Sequence, residues 1–178
     1  WTRQRQLNQL RSTLREFYPA ALEAFAELGH SDALAVLAVA PTPTLGRQAS
    51  RSKIASALRR GGRQRRIDER AEQIQTALRT DQLTAPALVS EAMGSTVTAL
   101  VSIAGELTAQ IARIEAEMAE SFDQHPDAEI IRSLPGLGMI LGARVLAEFG
   151  DDPNRYADAK CRKNYAGTSP ITRASGKS

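Results

Sequence analysis

Apolar residues recur at helical spacing along the first half of the chain, and prolines and glycines divide this pattern into short segments. Four of them share one face of a first helix: Leu7, Leu10, Leu14 and Phe17. Pro19 ends this helix, because its ring does not fit inside a helix. Four further helices are predicted, at residues 20–28, 31–39, 50–60 and 67–78. Their boundaries are marked by Gly29, by Ser31 as an N-cap, by PTPT at 41–44 and by Gly61-Gly62.

A narrower apolar pattern runs from Pro86 to about Phe122. Two sets of residues repeat every seven positions: Leu100, Leu107 and Ile114, and Ala104, Ile111 and Met118. Such heptads are typical of a coiled coil, whose narrow seam needs a partner helix. The partner is either another helix of this chain or a second copy, and the length of the seam favours a homodimer or higher oligomer. DQHPD at 123–127 ends the helix.

The pattern as a whole predicts an all-α protein in three parts. These are a helical bundle with a basic segment (1–85), a coiled-coil arm (86–125) and a C-terminal domain (126–178). With 178 residues, 42% of them hydrophobic, the chain is long enough to bury a core. No run approaches the roughly 18 apolar residues of a membrane span, and no signal peptide is visible. We therefore expect a cytoplasmic protein without a membrane partner, and the opening Trp1 suggests a piece of a longer protein.

The formal net charge is only +3, but the charges are unevenly placed. Residues 47–66 contain eight Lys or Arg and no acid, whereas residues 115–129 contain six acids and no Lys or Arg. Five arginines of the first run are candidate nucleic-acid contacts: Arg59, Arg60, Arg63, Arg65 and Arg66. A second basic run near the C-terminus includes Arg173 and Lys177. These runs favour a polyanion partner, with a solvated charged face as the alternative.

Two familiar kinds of site are disfavoured by the sequence. The single cysteine, Cys161, excludes an intrachain disulfide and has no second thiol for a zinc site. Gly176-Lys177-Ser178 resembles the end of a nucleotide-phosphate loop, but the full motif requires glycine at position 171, which is Ile171. The role of this serine-rich tail therefore depends on what precedes it.

The stretch IIRSLPGLGMILGARVLAEFG, residues 130–150, predicts two helices joined by a tight turn. Glycines in a turn that opens a helix allow close backbone approach, and the free N–H groups there can point at a phosphate. The turn residues Pro135, Gly136 and Gly138 are therefore candidate nucleic-acid contacts. The stretch resembles the helix-hairpin-helix motif, which holds the sugar-phosphate backbone without reading sequence. An ordinary packing corner between two helices is the alternative.

Further motifs follow this turn in a recognisable order. They are Gly150-Asp151, Tyr156, Ala166-Gly167-Thr168-Ser169-Pro170 and Ser175-Gly176. Together with the turn, they make residues 130–178 resemble the C-terminal domain of the insertion-sequence transposases of the one-ten family. Those proteins are serine-dependent recombinases guided by a bridge RNA. LREFYPAALEAFAEL, ALAVLAVAPTP and RSKIASALRRGG also look like the middle region of that family, so the resemblance spans nearly the whole chain.

The resemblance implies a chemical role for Ser175. In the family, the serine of the Ser-Gly pair attacks a DNA phosphodiester and holds the cut strand as a phosphoserine, and Ser169 and Ser178 are the alternative nucleophiles here. Arg173 and Lys177 are placed to neutralise charge on the phosphate. The family's Mg²⁺ ligands lie in a resolvase-like nuclease domain, which this chain lacks. The expected partners are DNA and a guide (bridge) RNA, and residues 1–178 alone are expected to bind no metal and to be inactive.

Two other functions remain open from the residues alone. One is a noncatalytic module for nucleic-acid binding and dimerisation, and the other is a coiled-coil interaction protein with merely solvated basic faces. A retained phosphoserine–DNA complex would support the transposase. Salt-dependent binding without a covalent product would support the binding module, and the absence of both would leave the interaction protein.

Overall fold

The computed structural model describes residues 1–152, 154–170 and 176. These residues form ten helices and no strand, which confirms the all-α prediction. The helices are α1 (Thr2–Phe17), α2 (Pro19–Ala24), α3 (Ser31–Val39), α4 (Pro43–Gln48), α5 (Arg51–Arg60), α6 (Ile67–Leu78), α7 (Ala87–Asp123), α8 (Ala128–Arg132), α9 (Met139–Phe149) and α10 (Ala159–Tyr165). Two compact units, Trp1–Ala112 and Arg113–Ser178, meet within α7, and the three-part division predicted from the sequence stays a prediction.

The first unit surrounds one core of alanine, leucine and aromatic side chains. The predicted apolar face of α1 is buried in it, and Tyr18 is its largest fully buried side chain. Burial raises the pKa of Tyr18, and its hydroxyl has no hydrogen-bond partner in the described part of the chain. α7 contributes four buried residues to the same core: Val97, Leu100, Val101 and Ala104.

The segment PTPT has a second role that the sequence analysis missed. It ends α3, as predicted, but it also begins α4. Pro43 stands at the start of α4, where a missing N–H costs nothing, and the Thr42 hydroxyl accepts the N–H of Leu45 at 3.3 Å. Two boundaries were also wrong. α2 ends at Ala24 rather than at residue 28, and Ser31 is the first residue of α3 rather than its N-cap.

Gly61 ends α5 at a close approach to the start of α3. A Cβ atom at position 61 would lie 2.3 Å from the Cα atom of Asp32, which is backbone and cannot rotate away. The φ of Gly61 is −76°, so the position needs glycine for space and not for conformation. This contact fixes where the basic segment leaves α5, because Arg63 then reaches the Asp32 carboxylate.

The predicted seam along α7 is only partly open in the single chain. Leu100 and Ala104 are buried against other helices of the first unit, so the first heptad finds its partner within the chain. Leu107 is half-buried, whereas Ile111 and Ile114 are 40% and 56% exposed. The homodimer therefore stays a prediction, and only the later part of the seam is available for it.

The sequence contains no uninterrupted run of about 18 apolar residues, but α7 has the length and mean hydropathy of a membrane span. By length and composition this one helix of the described chain could span a membrane, because hydroxyl and small residues interrupt its apolar run without adding charge. The core helix of a soluble protein can have the same length and composition. The helix also packs four of its residues into the core of the first unit.

The second unit has a much smaller core. Phe122, near the end of α7, is buried with Ala128 of α8 and Ala143 of α9. Partly buried side chains surround them: Met118, Ile131, Met139 and Leu146. Gly142 permits the close approach of α9, because a Cβ atom there would lie 2.9 Å from the Phe122 ring. α8 and α9 are thus packed around the end of α7, with the turn between them exposed.

Candidate nucleic-acid interface

The turn between α8 and α9 has the geometry that its sequence predicts. The N–H of Leu137 donates to the carbonyl of Leu134 at 3.2 Å and closes a four-residue turn. Gly136 has a φ of +81°, which matches the third position of a type II turn, and Pro135 occupies the second position, where proline is favoured. A Cβ atom on Gly136 would meet nothing within 4 Å. Glycine is therefore needed here for its positive φ.

The start of α9 presents unpaired backbone donors beside this turn. The N–H of Gly142 donates to the carbonyl of Gly138 at 2.7 Å, so the N–H groups of residues 139–141 precede the first helical bond. No side chain caps α9, and its first turn contains no acidic residue. Pro135, Gly136 and Gly138 are all exposed. This arrangement suits an anion, because the positive end of the helix dipole is neither capped nor neutralised.

An ion pair lies immediately before the turn. Arg132, the last residue of α8, contacts the carboxylate of Asp123, the last residue of α7, at 2.8 Å. Both side chains are about half exposed, so the pair contributes little to stability by itself. It joins the end of α8 to the end of α7 and adds to the apolar packing around Phe122.

The basic run at 47–66 is largely paired with acids of the same chain. Five of its eight cations have a carboxylate within 4.0 Å. These pairs are Arg47–Asp81, Arg51–Glu72, Arg59–Asp68, Arg63–Asp32 and Arg66–Glu69. Across the described residues, Lys53, Arg60 and Arg65 have no such partner. The run therefore carries less free positive charge than its sequence suggests.

Three of these pairs involve arginines that the sequence singled out: Arg59, Arg63 and Arg66. Arg63 contacts Asp32 at 2.7 Å, and the Asp32 side chain is only 15% exposed, so Arg63 is held to the start of α3. Arg66 forms two hydrogen bonds to the Glu69 carboxylate, which hold the pKa of Glu69 below its ordinary value. Of the five predicted arginines, Arg60 and Arg65 are the two left unpaired among the described acids.

A cluster of aromatic rings and arginines in the second unit was missed from the sequence. The rings of Phe149, Tyr156 and Tyr165 lie with their centroids 5.6–6.1 Å apart. The Arg155 guanidinium lies 5.4 Å from the Tyr165 centroid, and that of Arg162 lies 5.3 Å from the Tyr156 centroid. A signal was available, because aromatic residues are only 4% of the chain yet three of them fall within residues 149–165.

α10 lies at this cluster and has a charged N-cap. The Asp158 carboxylate accepts the N–H of Cys161 at 2.7 Å, and these bonds hold the pKa of Asp158 below its ordinary value. Gly167, two residues after the last residue of α10, is left-handed with a φ of +68° and lies within the predicted Ala-Gly-x-x-Pro turn. Ser169 in that turn is half-buried.

Most of the residues to which the sequence assigns the cleavage chemistry lie outside the described part of the chain. Ser175, Arg173, Lys177 and Ser178 lie outside the described residues, and Gly176 between them is exposed. In the described part of the chain, no three His, Cys, Asp or Glu side chains come together as metal ligands do.

Comparison of the sequence with known protein families defines the class of protein. Residues 128–178, which include the turn, α9, α10 and Ser175, match a family model for a transposase domain, described as Transposase IS116/IS110/IS902 family. The matched stretch begins at the first residue of α8. No solved structure matches the chain.

Relatives from insertion elements match almost the whole chain. The "Mini-circle putative transposase for IS117" of Streptomyces coelicolor is 40% identical over 99% of this chain and 44% of its own length. The IS900 42 kDa protein of Mycobacterium paratuberculosis is 34% identical over 82% of this chain and 36% of its own length. The IS116 44.8 kDa protein of Streptomyces clavuligerus is 32% identical over 98% and 43%. The chain spans less than half the length of these curated relatives.

The chain therefore belongs to the IS116/IS110/IS902 transposase family, as its resemblance to the one-ten insertion-sequence transposases predicted. The similarity to the IS117 relative extends from the first unit to the second, whereas the family model matches residues 128–178.

Proposed function

We propose that this chain is the DNA-binding and strand-transferring part of a transposase. The observation that supports the proposal is the exposed turn at residues 135–138, which opens onto the uncapped start of α9 inside the family domain. The N–H groups there donate hydrogen bonds to phosphate oxygens, and the glycines let the DNA backbone come close. Such contacts hold any DNA sequence, so target choice must come from elsewhere, and we propose pairing with a guide RNA.

Ser175 is the proposed nucleophile. Its Oγ forms a bond to phosphorus and loses its proton to a base, while the bond to one DNA oxygen breaks and that strand leaves. The product is a phosphoserine that holds one DNA end, and attack by the hydroxyl of another strand reverses the chemistry and rejoins DNA. Arg173 and Lys177 are proposed to stabilise the charge on phosphorus. Mg²⁺, when bound by ligands outside this chain, would polarise the same phosphate.

The remaining partners follow from this role. DNA is the substrate, and we propose that the protein acts in the cytoplasm, where the chromosome of a bacterium lies. The unpaired Arg60 and Arg65 at the end of the bundle are proposed to contact phosphates of DNA or of the guide RNA. The exposed residues of α7 are proposed to join two copies of the chain.

The turn is tested by changing Gly136 alone. Gly136→Val is expected to weaken binding of residues 1–178 to duplex DNA by about tenfold, because valine does not tolerate a φ of +81° and the backbone donors are displaced. Gly136→Asn is the matched control, since asparagine tolerates a left-handed conformation at this turn position. Its affinity should stay close to that of the wild type. Circular dichroism checks that both variants remain folded.

The slope of binding against salt separates the turn from the charged side chains. Backbone N–H groups carry no net charge, so Gly136→Val should leave the salt slope unchanged while affinity falls. A folded Gly136→Val variant that binds DNA as tightly as the wild type would show that the turn is only a packing corner.

Arg60 and Arg65 are expected to set part of that salt slope. Arg60→Gln with Arg65→Gln should lower the slope of log K against log salt by about 0.9 for each arginine, because each lost phosphate contact releases fewer counterions. The control is Arg66→Gln. Because Arg66 is already paired with Glu69, this substitution should change the slope less. A slope that the double variant leaves unchanged would assign both arginines to a solvated face.

A further inference from the structure

The aromatic cluster of the second unit borders a cleft of about 470 Å³. Its lining includes two aromatic residues, Phe149 and Tyr156, and two cationic residues of α10, Arg162 and Lys163. Thr168, in the turn after α10, also lines it. A cleft of this size is large enough for one nucleotide but small for a helix or a duplex. It belongs wholly to the second unit.

The lining combines the two kinds of group that bind an unpaired nucleotide. Aromatic rings stack with bases irrespective of sequence, and cations beside them neutralise the phosphate. Phe149 and Tyr156 are both half-buried, so they keep some surface for a ligand. The guanidinium of Arg162 lies 5.3 Å from the centroid of the Tyr156 ring, so a cation stands beside an aromatic ring in this lining.

The polar groups of the lining residues Tyr156 and Asp158 differ in their hydrogen bonding within the protein. The Tyr156 hydroxyl is buried and has no hydrogen-bond partner among the described residues. Buried polar groups are seldom left unpaired, because the loss of water is then not compensated. Asp158 is the one acid in the lining, and one of its oxygens is occupied by the cap of α10. Two cations and one acid leave the cleft positive.

We propose that this cleft binds an unpaired nucleotide of a nucleic-acid strand, with its base against Phe149 and Tyr156 and its phosphate at Arg162 and Lys163. This inference rests on the proposed function, since it assumes a nucleic-acid partner. It adds a contact of a different kind, because the turn at 135–138 holds the backbone alone. The cleft requires a base that has left its stack, which a helical duplex does not offer.

The test compares single strands that differ only in their bases. Binding of residues 1–178 is measured for oligonucleotides of about ten thymidines and for abasic strands of the same length and charge. The base-containing strand should bind about tenfold more tightly, because only it can stack. Oligouridine and its abasic counterpart form a second arm, and the arm with the larger preference identifies DNA or RNA as the source of the nucleotide.

Variants at Tyr156 test whether the preference for base-containing strands arises at the cleft. Tyr156→Leu should remove most of the preference for bases, whereas Tyr156→Phe, which keeps the ring, should retain it. Arg162→Gln should weaken both strands, and Arg113→Gln is its charge-matched control, because Arg113 pairs only with Glu117 on its own helix. The melting temperature of each variant is measured alongside, and the wild-type comparison stands even if Tyr156→Leu does not fold.

The outcomes distinguish this inference from the proposed function. Equal affinity for base-containing and abasic strands in both arms, with intact duplex binding, overturns the cleft and leaves the turn in place. An unchanged preference in folded Tyr156→Leu also overturns it. Absence of binding to any strand or duplex overturns both proposals.

Discussion

Ser175→Ala, in a protein of the relatives' full length that contains this chain, is expected to abolish DNA strand cleavage and to leave DNA affinity unchanged. The hydroxyl takes part in the chemistry, whereas the turn and the arginines supply the binding. Cleavage should fall below detection, because loss of a nucleophile commonly costs a factor of about 10³ or more. Gel assays of labelled DNA measure cleavage, and salt-dependent binding is measured on the same preparation.

Ser169→Ala and Ser178→Ala are the matched controls for this experiment. Each removes one hydroxyl from the same C-terminal stretch, and each should retain cleavage. Ser175→Cys should keep at most a trace of activity, since a thiolate attacks phosphorus from a different position. Normal cleavage by Ser175→Ala would move the nucleophile to another residue. Loss of cleavage only in Ser169→Ala or Ser178→Ala would identify which one.

Leu107→Glu combined with Ile111→Glu is expected to convert an oligomer of residues 1–178 into a monomer of 19.3 kDa. Both residues lie on the part of the α7 seam that the chain leaves open, and two copies would bring four carboxylates into one apolar contact. Light scattering or sedimentation measures the mass. The wild type should have a multiple of the single-chain mass.

Ala109→Glu combined with Ala112→Glu is the control for the seam. It adds the same charge to exposed positions on the opposite side of α7, and it should leave the oligomer intact. A monomeric wild type would contradict the proposed contact directly. So would a double Glu variant at 107 and 111 that keeps the mass of the wild type.

Most of the helices could be predicted from the sequence because their signals are local. The apolar spacing of α1, the Gly61 stop of α5 and the limits of α6 depend on neighbouring residues alone, and the structure confirms them. α4 was missed because prolines normally read as breaks, although Pro43 is tolerated at a helix start. Whether the α7 seam is buried within the chain depends on which helices pack against Leu100. Heptad spacing along α7 does not contain that information.

The candidate site was predictable to the extent that it is a local motif. Pro135 and Gly136 specify a turn by their own conformational preferences, and the structure has that turn. The basic run was less predictable, because Asp32 is 31 residues from Arg63 and still pairs with it. The aromatic cluster brings three rings and two arginines together through the packing of α9 and α10, which spacing along the chain does not reveal.

Trapping the covalent intermediate tests most directly whether Ser175 is the nucleophile. The relatives' full-length form of this protein is incubated with its DNA substrate, denatured, digested with protease and nuclease, and analysed by mass spectrometry. The expected product is a peptide that contains residue 175 and carries a nucleotide through a phosphoserine at Ser175. A nucleotide attached to any other residue, or active strand exchange without a covalent protein–DNA complex, would contradict this role of Ser175.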